Sequence, residues 1–256
     1  MTALLKVDRL SKTYESGTAA LREVSFSVES GEFVVVLGKS GSGKSTLMRC
    51  INRLVEPTSG KITLDSEEIT GASPTRLRAL RKRIGIIFQQ CNLIQRYSAG
   101  TNTLMGRLAW TSSLASMMYC FVADDVDRSW QVLDRLGLSD KYFSRSEELS
   151  GGQQQRVGLA RALMQEPELI LADEPVSSLD PATSQQIMKL LAEINEKEGV
   201  TVLCNLHLPA LARQFASRIL ALNEGRIVYD GSAKDLSERE LNSLYDSNLE
   251  EHLPKS

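Results

Sequence analysis

A chain of 256 residues with 30 Lys and Arg, 32 Asp and Glu and a net charge of −2 makes no electrostatic case for a nucleic-acid partner. Its apolar share of 42% with few aromatics suits an α/β protein with a sizeable core, and no apolar run reaches the length of a membrane span. Cys50, Cys91, Cys120 and Cys204 lie far apart without a C-x-x-C pair. Buried thiols are therefore expected rather than a disulfide framework or a zinc site. Residues 1–8 lack the basic-then-apolar form of a signal peptide, so a cytosolic chain is expected.

Leu5 and Val7 alternate with Lys6 and Asp8, which predicts a short opening strand. Tyr14 follows it. Val24, Phe26 and Val28 alternate with polar residues and predict a half-buried strand, and Ser30-Gly31-Glu32 turns into the apolar run Phe33-Val34-Val35-Val36-Leu37. That run ends in Gly38-Lys39-Ser40-Gly41-Ser42-Gly43-Lys44-Ser45-Thr46, a full match to G-x-x-x-x-G-K-[ST]. Leu47, Ile51 and Leu54 then recur like one face of a helix. A glycine-rich turn alone need bind nothing, but strand before and helix after make this a phosphate cradle. Its backbone N–H groups curl around phosphate oxygens, Lys44 supplies charge at the outer phosphates and Ser45 offers a hydroxyl to Mg²⁺.

Alternation over 61–65 predicts another strand, giving an antiparallel segment beside the nucleotide strand. Arg76, Arg78, Arg81, Lys82 and Arg83, with Leu77 and Leu80, read first as a solvated helix face. Residues 84–88 predict a buried strand with Gln89 at its end. From 90 to 150 strand patterns vanish and a mostly helical insertion is expected, with Val132, Leu133 and Leu136 on a helix ending near Gly137. Periodicity does not settle 106–121.

Ser150-Gly151-Gly152-Gln153 opens a helix whose face carries Val157, Ala160, Leu163 and Met164, a second helix N-terminus suited to an anion. Residues 168–172 predict a buried strand ending in Asp173 and Glu174. There Asp173 could hold Mg²⁺, and Glu174 could polarise an attacking water. Asp180 closes a tight turn. A further buried strand, 200–204, precedes His207, where its imidazole could reach a terminal phosphate; residues 219–222 and 226–229 read as a hairpin around Asn223-Glu224-Gly225. The polar residues from 237 read as a tail.

In this order the motifs resemble the ATP-binding cassette family over essentially the whole chain. The resemblance implies an α/β fold: a P-loop NTPase (RecA-like) core with an N-terminal antiparallel β subdomain and an inserted α-helical subdomain. The core would span about 1–89 and 161–236, the helical signature subdomain 90–160 and the tail 237–256. It implies that Tyr14 stacks on adenine, that Gly38 to Thr46 is the Walker A loop, and that Gln89 is the Q-loop glutamine. Ser150, Gly151, Gly152 and Gln153 would form the signature motif that contacts ATP in trans. Asp173 matches the Walker B aspartate, Glu174 the catalytic base, Asp180 the D-loop and His207 the switch histidine. Ser45, Gln89 and Asp173 would hold Mg²⁺, and Glu174, His207 and Gln89 would serve hydrolysis. The cofactors implied are ATP and Mg²⁺. The partners implied are a second copy head to tail, integral membrane permease subunits and a separate substrate-binding protein, with the chain peripheral on the cytoplasmic face of the inner membrane.

More narrowly, Gly106-Arg107-Leu108, Leu149 to Met164 and Cys204-Asn205-Leu206-His207 resemble the ATPase subunits of phosphonate importers. Leu208-Pro209 and Ser98 to Asn102 depart from that subfamily's pattern and leave phosphite or another small solute open. A soluble, non-transport cassette ATPase is the other class considered. Its chromosome, repair and translation types carry a coiled-coil insertion, zinc cysteines or a second cassette, none of which this sequence has.

Overall fold

The computed structural model describes residues 3–111 and 121–235. The expected tail, Cys120 and most of the 106–121 stretch lie outside the described residues. In chain order the elements are β1 (Ala3–Thr13), β2 (Ala19–Glu29), β3 (Phe33–Leu37), α1 (Lys44–Ile51), β4 (Ser59–Leu64) and β5 (Glu67–Glu68). Then come α2 (Pro74–Lys82), β6 (Ile84–Ile87), α3 (Ala99–Leu104), α4 (Ala123–Arg135) and α5 (Gly151–Leu163). Last are β7 (Leu169–Asp173), α6 (Pro181–Glu198), β8 (Thr201–Leu206), α7 (Pro209–Phe215), β9 (Arg218–Asn223) and β10 (Arg226–Ser232). Of the described residues, 3–70 with 205–235 form one compact unit and 71–111 with 121–204 another, the division falling within β8.

In the first unit β2, β1, β4 and β5 form an antiparallel sheet in that order. Sequence alternation reveals only the start of β1, because a register shift re-phases the strand. Arg9 adopts φ 44, and the buried side chains step from Val7 to Leu10. Strict alternation would turn Arg9 inward; the shift leaves it exposed. Glu23, at φ 53, does the same in β2, bringing Leu21 and Val24 onto one buried face. In the same unit β3 pairs with β9 in parallel and β9 with β10 antiparallel, the expected hairpin. All five residues of β3 are buried, as a strand covered on both faces should be. Leu47 and Ile51 of α1 are buried, but Leu54 is 49% exposed, because the helix ends at Ile51 and Arg53 turns into the left-handed region.

In the second unit β6 pairs with β7 in parallel and β7 neighbours β8. Leu80 anchors α2 while Leu77 is only half-buried. The expected helical character of 90–150 holds among the described residues, apart from one isolated bridge between Ser98 and Arg145. Val132, Leu133 and Leu136 are buried, and Gly137 follows at φ 68, the left-handed stop that its position after the helix predicts. Pro167 follows α5, whose predicted face of Val157, Ala160, Leu163 and Met164 is buried throughout.

Candidate functional site

The phosphate loop belongs to the first unit. Backbone sterics fix its shape. Gly43 is the N-cap of α1 at φ 106, and a Cβ there would fall on the carbonyl oxygen of Ala20, so only glycine fits. Gly38 is pressed against Leu222 of β9 in the same way. The hairpin turn braces the loop, since Gly225 N–H donates to the Ser42 carbonyl at 3.0 Å and Arg22 N–H to the Gly225 carbonyl at 2.8 Å. No sequence signal marks Ala20, Leu222 or Gly225 as parts of the cradle, because their contribution is backbone brought in from distant segments.

α1 starts without a side-chain cap and without an acidic residue in its first turn. A helix so begun presents its positive end to an anion. Lys44 is only 4% exposed. Its Nζ donates to the Gly38 carbonyl at 2.7 Å and the Lys39 carbonyl at 2.9 Å, and lies 3.4 Å from Nδ1 of His207. His207 and the loop lysine thus meet, although 163 residues separate them. Ser42 Oγ is buried without a hydrogen-bond partner, while Ser40 and Gly41 are exposed and Lys39, Ser45 and Thr46 are half-buried. Tyr14 stands at the loop's far end. Its hydroxyl is 3.2 Å from Thr46 Oγ1, Lys12 Nζ lies 5.2 Å from its ring centroid, and the ring's partial exposure leaves a surface on which a flat base can stack. Cradle, cation and aromatic plate together fit a nucleoside triphosphate.

The second unit gathers the remaining predicted residues. The β6–β7 register pairs Ile87 with Ala172, so Gln89 and Glu174 each leave the sheet two residues beyond that pair. Asp173, the last residue of β7, is buried; Glu174 follows at φ 52, a conformation that a glutamate holds only when its surroundings impose it. Burial and the charge of Asp173 both push the Cys204 thiol well above its usual range, burial being the larger cause. Among the described residues no three His, Cys, Asp or Glu gather to hold a metal.

Gln89 is exposed in a turn, and the residues after it are clasped by α5. Cys91 and Asn92 both take left-handed backbone, at φ 56 and φ 46. Cys91 Sγ–H donates to Gln155 Oε1 at 2.5 Å, while Arg161 donates to the carbonyls of Cys91 at 2.5 Å and Asn92 at 2.7 Å. Burial raises the Cys91 thiol to about 11, so it remains a protonated donor at neutral pH. This clasp is invisible to sequence reasoning: Gln155 and Arg161 fall inside the 149–164 stretch, but no spacing or periodicity ties them to Cys91 and Asn92.

The turn at Ser150 is built from side chains. Ser150 and Gln153 form a reciprocal capping box: Ser150 Oγ accepts from Gln153 N–H at 3.3 Å and Gln153 Oε1 accepts from Ser150 N–H at 2.9 Å. Gly152 packs against the methyl of Thr183, where any Cβ would collide, and Gly151 faces Leu179. Asp180 caps α6 by accepting from Thr183 N–H at 3.0 Å. The hydrogen bonds from Thr183 hold its carboxyl below the usual range. The Ser150 and Asp180 turns are thus packed together through Thr183.

A strand–loop–helix phosphate cradle with a buried lysine, and an acid pair at the end of a parallel strand, define a P-loop ATPase. Residues 21–177 match the family model described as ABC transporter. The chain is 47% identical over 241 residues to the phosphonates import ATP-binding protein PhnC of Thiobacillus denitrificans, covering 94% of this chain and 92% of that protein. It is 48% identical over 242 residues to phosphonates import ATP-binding protein PhnC 1 of Rhodopseudomonas palustris, covering 94% and 89%. Among solved structures, a dimeric ATP-binding cassette in a post-hydrolysis state with ADP and phosphate is 34% identical at a TM-score of 0.78, covering 90% of this chain and 98% of that one. The cbiO1 subunit from Clostridium perfringens, part of an ABC transporter complex, is 30% identical at a TM-score of 0.82, covering 97% and 96%. The chain belongs to the ATP-binding cassette family of transporter ATPases.

Proposed function

We propose that this chain is the ATP-hydrolysing subunit of an ABC importer for phosphonates. It binds ATP with Mg²⁺ and works on the cytoplasmic side of the membrane with permease subunits and a second copy of itself. No described helix is long and apolar enough to cross a membrane. The observation that carries the reading is the buried Lys44 inside its loop, 3.4 Å from His207, in a chain whose curated relatives are named for phosphonate import.

On this reading Lys44 exchanges the carbonyls of Gly38 and Lys39 for the outer phosphates, and Tyr14 stacks on adenine. Ser45, Gln89 and Asp173 would hold Mg²⁺, which would supply positive charge for the nucleotide's phosphates. Glu174 accepts the proton of the attacking water and His207 hydrogen-bonds the transferred phosphate. Ser150, Gly151, Gly152 and Gln153 serve the nucleotide of the partner copy, with Asp180 at the same interface, so the pair is head to tail. A separate substrate-binding protein delivers the solute.

The test is uptake by the chain assembled with its permease and binding protein. ATP-dependent uptake of an alkylphosphonate, unaffected by excess phosphite, is the expected result. Uptake of phosphite without phosphonate would shift the substrate to the smaller oxyanion.

A further inference from the structure

Charge is distributed unevenly along this chain. Residues 69–123 contain seven Lys and Arg and no Asp or Glu, so the rest of a chain with net charge −2 stands at −9. Such a block within a near-neutral protein points to an anionic partner surface. Within the block Arg83 makes a double hydrogen bond to Glu168, and Arg107 pairs with Asp125. The others concentrate on α2 and beside it. Arg76, Arg78 and Arg96 are exposed, with Arg81 and Lys82 half-buried.

Helix stability alone does not account for this pattern. Basic residues in the last turn, Arg81 and Lys82, favour the helix dipole, but Arg76 sits in the first turn, where an acid would be favoured and none is present. Arg78 and Lys82 stand four residues apart, a like-charge spacing that weakens the helix. The basic helix also borders an aromatic. Lys82 Nζ lies 4.3 Å and the Arg107 guanidinium 5.5 Å from the ring centroid of Trp110, yet the indole remains 51% exposed, next to exposed Leu108. Cations around an outward indole with an aliphatic neighbour match the chemistry of a bilayer interface, where Trp settles at headgroup depth and Lys and Arg meet lipid phosphates.

We propose that α2 and Trp110 form a contact surface for anionic phospholipid headgroups, holding the subunit against the bilayer beside its permease. This rests on the reading of the chain as a peripheral transporter subunit. The surface lies wholly within the second unit.

The test is flotation of the full chain with phosphatidylcholine vesicles, with and without phosphatidylglycerol. Binding is expected only to the anionic vesicles and is expected to fall as salt rises. Arg78→Gln and Lys82→Gln should each weaken it about fivefold. Trp110→Ala should weaken it without changing the salt dependence, and Lys189→Gln, an exposed control on α6, should change nothing. Unaltered ATP turnover in each variant confirms that it is folded. Binding regardless of lipid charge, equal loss with Lys189→Gln, or equal affinity for an RNA oligonucleotide would overturn the proposal. Absent vesicle binding together with impaired phosphonate uptake by Arg78→Gln would overturn it too, assigning the surface to the permease. Absent vesicle binding with normal uptake by that variant would refute the lipid contact while leaving the transporter reading intact.

Discussion

The phosphate loop and the Ser150 turn are both helix N-termini rich in glycine, yet they are held in opposite ways. Around Gly38 and Gly43 the nearest walls are backbone carbonyls of Leu222 and Ala20, ahead of the Ser42 and Leu21 side chains, and α1 has no side-chain cap. Around Gly151 and Gly152 the walls are the side chains of Leu179 and Thr183, and Ser150 with Gln153 closes a capping box. The loop that must wrap phosphate is shaped by carbonyls that cannot move without moving strands. The turn proposed to serve a partner copy is shaped by side chains, which can repack.

The largest effect is expected at Lys44. Lys44→Ala should leave the fold intact, since the loop's walls are backbone, while lowering ATP turnover about a thousandfold or more through loss of charge at the outer phosphates. Wild-type nucleotide affinity in the folded variant would contradict this.

Two glycine substitutions set the regions against each other. Gly43→Ala places a Cβ on the Ala20 carbonyl at φ 106 and should destabilise the protein by about 3 kcal/mol in urea unfolding. Gly151→Ala meets only Leu179 Cδ2 at 3.4 Å and should change stability by less than about 1 kcal/mol. Similar losses at both sites would erase the distinction between them.

Legibility in the sequence follows the same line. Local patterns announce the phosphate loop, the Ser150 helix start, the acid pair after β7 and His207 after β8, because each depends on neighbours in sequence. What stays hidden is non-local: bulges at Arg9 and Glu23 that lengthen β1 and β2, the Gly225 brace on Ser42, and the clasp of Gln155 and Arg161 on the turn after Gln89. Leu54 misleads because helical spacing continues past the point where the chain leaves the helix.

A smaller effect is expected at Gln89, just before that clasp. Gln89→Ala leaves Lys44, Glu174 and the turn held by Arg161 in place. It should lower substrate uptake by the assembled transporter more than the basal ATPase of the isolated chain. Equal losses would make Gln89 purely catalytic.

The smallest effect concerns Asp180. Its carboxyl is held below the usual range by the Thr183 hydrogen bonds, so its cap is complete above the ordinary carboxylate pKa and fades as pH falls through the folded value. Asp180→Asn keeps a capping side chain and should flatten that part of the acid dependence of thermal unfolding. An unchanged acid profile would place the dependence elsewhere.

The proposed catalytic cycle stands or falls with one chain's phosphate loop and its partner's Ser150 turn enclosing each ATP. Light scattering of Glu174→Gln probes that enclosure, since removing the proposed base should stop turnover while nucleotide binding is retained. The expected result is a monomer alone and a dimer with Mg-ATP, with the dimer lost when Ser150→Arg is added. A variant that hydrolyses ATP at the wild-type rate, or that stays monomeric while saturated with nucleotide, would contradict it.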